Sequence, residues 1–270
     1  MELLRLRSLC ILMQLAGIHR MLGFVERLLG LFTLFRVYGA GRNRLLILVK
    51  LAGVLPLLLG SRLRTGMGVA ARVCPADSCL CLLRLDAVDD AHLARWETWL
   101  DPEKRARIGR QDAQHRRQTV CADALARLML AGPDATAPQA LRFARSASGR
   151  PSCPVLPLSF SLSHSGGYAA CAVSARPVGV DLEEIRPLRP ALLGILSEEE
   201  RAWMGDDAAR FAQLWTAKEA MLKCRGAALG RLRHLPLAMT PDGPAAQQGA
   251  LRLFFPPAPG GYALALCMEE

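Results

Sequence analysis

At 270 residues the chain is long enough to bury one large core or two modest ones. Apolar residues make up 51% and charged residues 21%, which excludes an intrinsically disordered chain. The net charge of +10 is unevenly placed: residues 1–73 carry 11 Lys and Arg against 2 Asp and Glu, while residues 74–270 carry 23 against 22. The basic excess belongs to the N-terminal quarter, so nucleic acid is not an expected partner of the remaining body.

Residues 1–66 form a basic Leu- and Arg-rich extension. Its stretch Leu45–Leu59 is apolar but carries Lys50 and Pro56, and is shorter than the ~20 residues a spanning helix needs. It also lies too far into the chain for a secretory signal. Three readings stay open: a membrane-surface or disordered segment, a docking segment, or translated sequence upstream of the true start. Membrane contact is expected only if residues 1–64 are present in the mature protein. Met67 opens a compact unit of ordinary composition, which favours the third reading. Nine cysteines, an odd number with no CxxC pair, read as reduced thiols filling the core of a cytoplasmic protein.

From Cys79 the pattern changes. The run CLCLLRL predicts a buried strand. Asp89 and Asp90 cap a helix carrying Leu93, Trp96 and Leu100, and Asp101-Pro102 starts another, with a capping Asp and a first-turn Pro. A long helix is predicted over 112–131, stopped by Gly132-Pro133. Strands over 160–163 and 168–175 flank a turn, SHSGG (163–167). A further strand covers Val178–Glu183, and Ser197 with Glu200 forms a capping box. A helix over Phe211–Cys224 and strands over 250–255 and 262–267 complete the chain. The order lacks regular βαβ alternation, so the fold class is α+β, in two similar-sized lobes, 67–176 and 177–270.

The motif PVGVDLEEI places Asp181 and Glu183 on one face of a strand, with ~7 Å between them along the backbone. Two parallel carboxylates suit a hard cation, because Mg²⁺ takes one or two carboxylates and leaves its other positions to phosphates and water. On spacing alone they suit a solvated acidic edge better. In FAQLWTAKEAMLKCRG, Trp215, Glu219 and Lys223 are spaced by four. This is also the spacing of an ordinary surface ion pair, worth only ~0.3–0.5 kcal/mol. His164 in a turn with Ser163 and two glycines can donate to a phosphate or serve no purpose beyond the loop. Lys104, Arg105, Arg107, Arg110, Arg116 and Arg117 form a basic stripe, or a solvated helix face.

Singly these signals are weak, but their order is specific. PEKR, a long helix, GRP, LSHS, then Gly179-Val180-Asp181 with Glu183, then Trp215, Lys218, Glu219, Ala220 and Lys223 resemble the 4′-phosphopantetheinyl transferase superfamily, in its larger two-lobed, surfactin-synthetase-activator type. The resemblance spans about residues 79–268. It implies transfer of the phosphopantetheine arm of coenzyme A to a serine of an acyl or peptidyl carrier protein, with release of adenosine 3′,5′-bisphosphate. It implies that Asp181, Glu183 and Glu219 hold Mg²⁺, and that Glu219 takes the serine proton directly or through a water. Lys218 and Lys223 would stabilise the reacting phosphate. Lys104, Arg107, Arg117, Arg150, Ser163 and His164 would grip the nucleotide phosphates. Gln118 departs from the family pattern, which has Arg there; the resemblance then assigns that role to Arg117 through a one-residue slip. The type implies a cytoplasmic monomer, its lobes forming a pseudo-dimer, serving peptide or polyketide synthetases. Two other classes remain at this point: a non-catalytic carrier-binding module of the same fold, and a membrane-associated regulator driven by residues 1–64.

Overall fold

A computed structural model describes residues 78–269 except 132–136, 147–148, 228, 236, 242 and 247–249, together with the backbone of three short strands further upstream. The expectations for residues 1–66, and for Gly132-Pro133 as a helix stop, fall outside the described side chains. In chain order the strands are β1 Leu34–Arg36, β2 Leu46–Leu48, β3 Val69–Val73, β4 Ser78–Arg84, β5 Ala144–Arg145, β6 Pro151–Ser152, β7 Ser159–Ser165, β8 Tyr168–Ser174, β9 Val178–Glu184, β10 Leu237–Thr240, β11 Gly243–Ala246, β12 Leu251–Phe254 and β13 Tyr262–Glu269. The helices are α1 Asp90–Glu97, α2 Pro102–Ile108, α3 Ala113–Leu130, α4 Glu198–Met204 and α5 Ala208–Arg225. The class is α+β.

Two sheets carry the architecture. The first has the order β1-β2-β3-β4-β8-β7 and the second β12-β13-β9, while β5-β6 and β10-β11 form separate two-stranded pairs. Strand alternation divides the side chains of the first sheet between two cores. Cys81, Leu83, Phe160, Cys171 and Val173 pack against the helices, around Trp96, Leu125 and Met129. Leu80, Leu82, Ala170 and Ala172 point the other way, onto Val178, Val180, Leu182, Leu264 and Leu266 of the second sheet. Ala265 and Cys267 on the outer face of that sheet meet α5 through Leu214, Ala217 and Met221. The layers are therefore helix, sheet, sheet, helix, with both sheets buried on two faces. That is why CLCLLRL and YAACAVS read as continuous apolar runs rather than alternating ones. None of the seven described cysteines forms a disulfide, and most are buried.

The helix signals act as the sequence implies. Asp89 accepts a hydrogen bond from the His92 amide and Asp112 from that of His115, and Ser197 and Glu200 form a complete capping box. α5 ends at Gly226 in the left-handed region, φ 63°. Asp101 behaves differently: it makes no capping bond, and its carboxylate lies 3.6 Å from the buried guanidinium of Arg127, a stronger partner than a backbone amide. The expected turn at SHSGG is also shorter than the five residues suggest. β7 runs on through His164 and Ser165, which pair with Ala169 and Tyr168 of β8, so only Gly166 and Gly167 turn. Gly166 has φ 51°, as a two-residue hairpin requires, and a Cβ there would lie 2.2 Å from the Tyr262 hydroxyl. The pairs β5-β6 and β10-β11 were not evident in the sequence. No helix among the described residues is long and apolar enough to cross a membrane.

Candidate active site

A cavity of about 580 Å³ opens along the seam where β7 of the first sheet faces β9 of the second. One wall comes from the first half of the chain: Lys104 and Arg107 on α2, Arg150 before β6, and Ser163 and His164 on β7. The opposite wall comes from the second half: Asp181 and Glu183 on β9, Glu219 and Lys223 on α5. Nine of the eleven residues singled out in the sequence thus share one cavity, and each wall is dominated by one sign of charge.

The acidic wall depends on how closely α5 approaches β9. A Cβ on Gly179 would lie 2.0 Å from the Ala220 carbonyl oxygen and 2.5 Å from the Cys224 amide. Only glycine admits this approach, and it places the Glu219–Lys223 face of the helix beside Asp181. Lys223 Nζ donates to Asp181 Oδ1 at 2.6 Å and to the Val180 carbonyl at 3.2 Å. Ser163 Oγ donates to the same Asp181 oxygen at 2.7 Å, and Ser165 Oγ donates to Glu183 Oε2 at 2.7 Å. Asp181 is buried, not part of a solvated acidic edge, and its Oδ2 has no hydrogen-bond partner.

Burial and the neighbouring charges of Asp181 and Glu183 push the Glu219 carboxyl up to about 7, with Lys223 opposing them. Burial likewise raises Glu183, against the pull of the Ser165 hydroxyl. Clustered carboxylates with raised proton affinity are the signature of a site short of positive charge. Among the described residues, no group of three or more His, Cys, Asp or Glu could hold a metal ion alone. The donor set fits instead a hard cation that takes one or two carboxylates and completes its shell from substrate oxygens and water. The unpartnered Asp181 Oδ2 is an oxygen available to such an ion.

The basic wall is braced from behind. Lys104 Nζ reaches Asp123 Oδ2 at 2.6 Å, and Asp123 is also paired with Arg127 one helical turn on. Burial lowers the Lys104 ammonium, and Asp123 counteracts it. Arg150 spans both halves of the chain, donating to Ser159 Oγ and, at 3.0 Å, to the Cys224 carbonyl. Arg145 and His115 line the same wall and were missed in the sequence. His115 lies on the same face of α3 as Thr119 and Ala122, which also line the cavity, but none of the three stands in a motif, so no local signal marked it.

Two expected residues lie elsewhere. Lys218 is buried and bonded to Glu200 Oε1 at 2.9 Å and to the Leu235 and Ile195 carbonyls. It does not line the cavity. The reason is helical geometry: Lys218 and Lys223 are five residues apart, ~140° around the helix, while Glu219 and Lys223 share a face. Arg117 donates to the Leu85 and Val88 carbonyls and to Asp90, also away from the cavity. Gln118, next to it, donates to the Gly166 carbonyl at 2.9 Å and fixes the β7–β8 turn. One residue is ~100° of helix, so a slip turns the side chain out of the site instead of substituting within it.

A family model described as the 4′-phosphopantetheinyl transferase superfamily matches residues 177–267, the half that carries the acidic wall. The chain is 31% identical over 159 residues to the 4′-phosphopantetheinyl transferase HetI of Nostoc sp., covering 51% of this chain and 63% of that protein. It is 28% identical over 145 residues to the 4′-phosphopantetheinyl transferase Sfp of Bacillus subtilis, covering 50% of this chain and 64% of that one. The matches thus span a little under two thirds of the length of HetI and Sfp. A 4′-phosphopantetheinyl transferase of Bacillus pumilus matches over 184 residues at 30% identity, 63% of this chain and 77% of its own length. With its paired charged walls on two abutting sheets and these relatives, of which the Bacillus pumilus protein is matched over more than two thirds of its length, the chain belongs to the 4′-phosphopantetheinyl transferase superfamily, in its surfactin-synthetase-activator type.

Proposed function

We propose that the protein transfers the 4′-phosphopantetheine arm of coenzyme A to a serine of an apo carrier protein. The observation that carries this reading is the cavity itself, in which a cationic wall opposes a carboxylate wall across a space the size of a small-molecule site. Such opposed charges suit a pyrophosphate held on one side by basic groups and on the other by a cation. The carrier serine oxygen attacks the phosphorus that bears pantetheine. The bond from that phosphorus to the bridging oxygen breaks, and adenosine 3′,5′-bisphosphate leaves with the electron pair. A nucleotide phosphate is a good leaving group, so the protein's task is alignment and charge compensation.

Asp181, Glu183 and Glu219 would between them give the divalent ion, Mg²⁺ by family likeness, its one or two carboxylate ligands, with substrate oxygens and water filling its other positions. When bound, it neutralises the pyrophosphate oxygens and fixes their orientation. Glu219 accepts the serine proton, directly or through a water. Lys223 compensates the charge on the reacting phosphate. Lys104, Arg107, Arg150 and His164 receive the nucleotide phosphates, with Arg145 beside them as a further cation. Arg supplies a bidentate fork for phosphate at 107 and 150. Residues 67–176 and 177–270 are read as similar lobes of a monomer, each sheet backed by one 18-residue helix. The type favours peptide or polyketide synthetase carriers in the cytoplasm. Incubating the protein with coenzyme A, Mg²⁺ and an apo carrier protein should add the phosphopantetheine mass to the carrier. Asp181→Ala and Glu219→Ala should abolish that gain while circular dichroism and melting remain those of a folded protein. Wild-type rates in either variant would overturn the assignment.

A further inference from the structure

Four serines stand at alternate positions of β7: Ser159, Ser161, Ser163 and Ser165. Alternation puts them on one face, opposite Phe160, which lies in the core beneath the helices. They face β9. Both strands are the outer members of their sheets, so β9 presents a row of amides with no strand to receive them. The serine hydroxyls take that place. Ser159 Oγ accepts from the Val178 amide at 3.4 Å, Ser161 Oγ from Val180 at 3.0 Å, and Ser165 Oγ from Glu184 at 3.1 Å.

Ser159 also accepts from Arg150, while two of the four donate to carboxylates: Ser165 in addition to its amide bond and Ser163 without one. A hydroxyl has one proton to donate. Ser163 gives its proton to Asp181 Oδ1, and Ser165 gives its proton to Glu183 Oε2. Lys223 converges on the same Asp181 oxygen, so Oδ1 has two donors and Oδ2, buried, has none. A carboxylate loaded on one oxygen and bare on the other has its side-chain orientation fixed and one oxygen reserved. In this structure Ser163 serves the carboxylate, where the sequence resemblance has it grip a nucleotide phosphate.

We propose that Ser163 and Ser165 are positioning residues: their hydroxyls hold Asp181 and Glu183 in the orientation in which a divalent cation is received, with Asp181 Oδ2 as the reserved oxygen. This rests on the reading that these carboxylates bind such a cation. Outer hydrogen bonds of this kind orient metal-binding carboxylates, and their loss typically costs ~10–100-fold in metal affinity. Ser161 is the internal comparison, because its hydroxyl serves only a backbone amide.

The test is titration of the full-length protein with Mn²⁺ in the presence of coenzyme A, followed by the electron paramagnetic resonance signal of free Mn²⁺. Ser163→Ala and Ser165→Ala should each weaken Mn²⁺ binding by about tenfold or more. Ser163→Thr and Ser165→Thr should restore it, whereas the near-isosteric Ser163→Val and Ser165→Val should not. The Thr and Val pair keeps the comparison valid if the alanine variants do not fold. Ser161→Ala should lower the melting temperature and leave Mn²⁺ affinity within about twofold. Unchanged Mn²⁺ affinity in the Ser163 and Ser165 variants, or an equal loss in Ser161→Ala, would overturn the proposal and leave the cation site standing. Failure of the wild-type protein to bind Mn²⁺ with coenzyme A present would overturn the cation site and the proposal together.

Discussion

Gly179→Ala is the smallest change that tests how the two halves of the acidic wall are joined. The added Cβ would lie 2.0 Å from the Ala220 carbonyl oxygen and 2.5 Å from the Cys224 amide. Both are backbone atoms inside α5, so no side chain can swing aside. Carbon contacts are comfortable only from ~3.5 Å, so the helix must withdraw from β9 by more than about 1 Å. Overpacking of this kind costs about 1–3 kcal/mol, roughly 2–12 °C of melting temperature in a domain of this size. The effect on the site is larger than the effect on stability. The Lys223–Asp181 bond is 2.6 Å long, and Glu219 lies one turn before Lys223 on the same face, so the withdrawal separates both from β9. Misplacement by ~1 Å in a preorganised site costs on the order of 100-fold. The expected outcome is a folded protein that modifies a carrier about 100-fold more slowly, measured by intact mass against time, with melting followed in parallel. A variant with wild-type rate and wild-type melting temperature would refute the claim that this close approach builds the site.

Lys218→Met should act on stability, not on coenzyme A binding. It leaves Glu200 buried without its cation, and breaking such a pair costs about 3–5 kcal/mol, although Glu200 keeps the amides of Ser197 and Leu237. A marked drop in melting temperature with unchanged coenzyme A affinity in the folded fraction is expected; the reverse pattern would return Lys218 to the catalytic set. Lys104→Ala should weaken coenzyme A more than 3′-dephospho-coenzyme A in calorimetric titration, and equal losses would remove its 3′-phosphate role.

Much of the site was legible because its residues sit on regular elements. The Trp215, Glu219, Lys223 spacing places one helical face, and the β9 alternation pairs Asp181 with Glu183, so local periodicity is enough. The same periodicity argues against Lys218 as a partner of Lys223, and the family motif led away from that arithmetic. What local pattern cannot supply is the identity of the opposing surface. FSLSHS shows a serine every second residue, yet nothing near it indicates that β9 lies across from those hydroxyls. For that reason the spacing of Asp181 and Glu183 alone favoured a solvated acidic edge over a cation-binding pair. Glu200 shows the same limit: its capping box is evident from four residues, but its buried pairing with Lys218 depends on how the loops before α4 and after α5 fold back.

The location of the cavity follows from the way the sheets meet. Two outer strands laid side by side would ordinarily join into one continuous sheet, with every edge amide paired and no room for a ligand between them. Here β7 offers hydroxyls where a partner strand would offer carbonyls. A side-chain hydroxyl satisfies an amide as a carbonyl would, but it holds the backbones further apart than a ladder does. The same alternation that lets the serines reach the β9 amides puts His164 on the other face of β7, where it still lines the cavity. Ser163 and Ser165 meanwhile remain in contact with the carboxylates of β9. One polar strand thereby lines the seam between the sheets and contributes to the cavity that both charged walls share. A β7 rebuilt with apolar residues at those four positions would leave the β9 amides buried without partners, a penalty of about 1–3 kcal/mol for each, and Asp181 with Lys223 as its one remaining donor. The seam can therefore remain open as a cavity only while it remains polar.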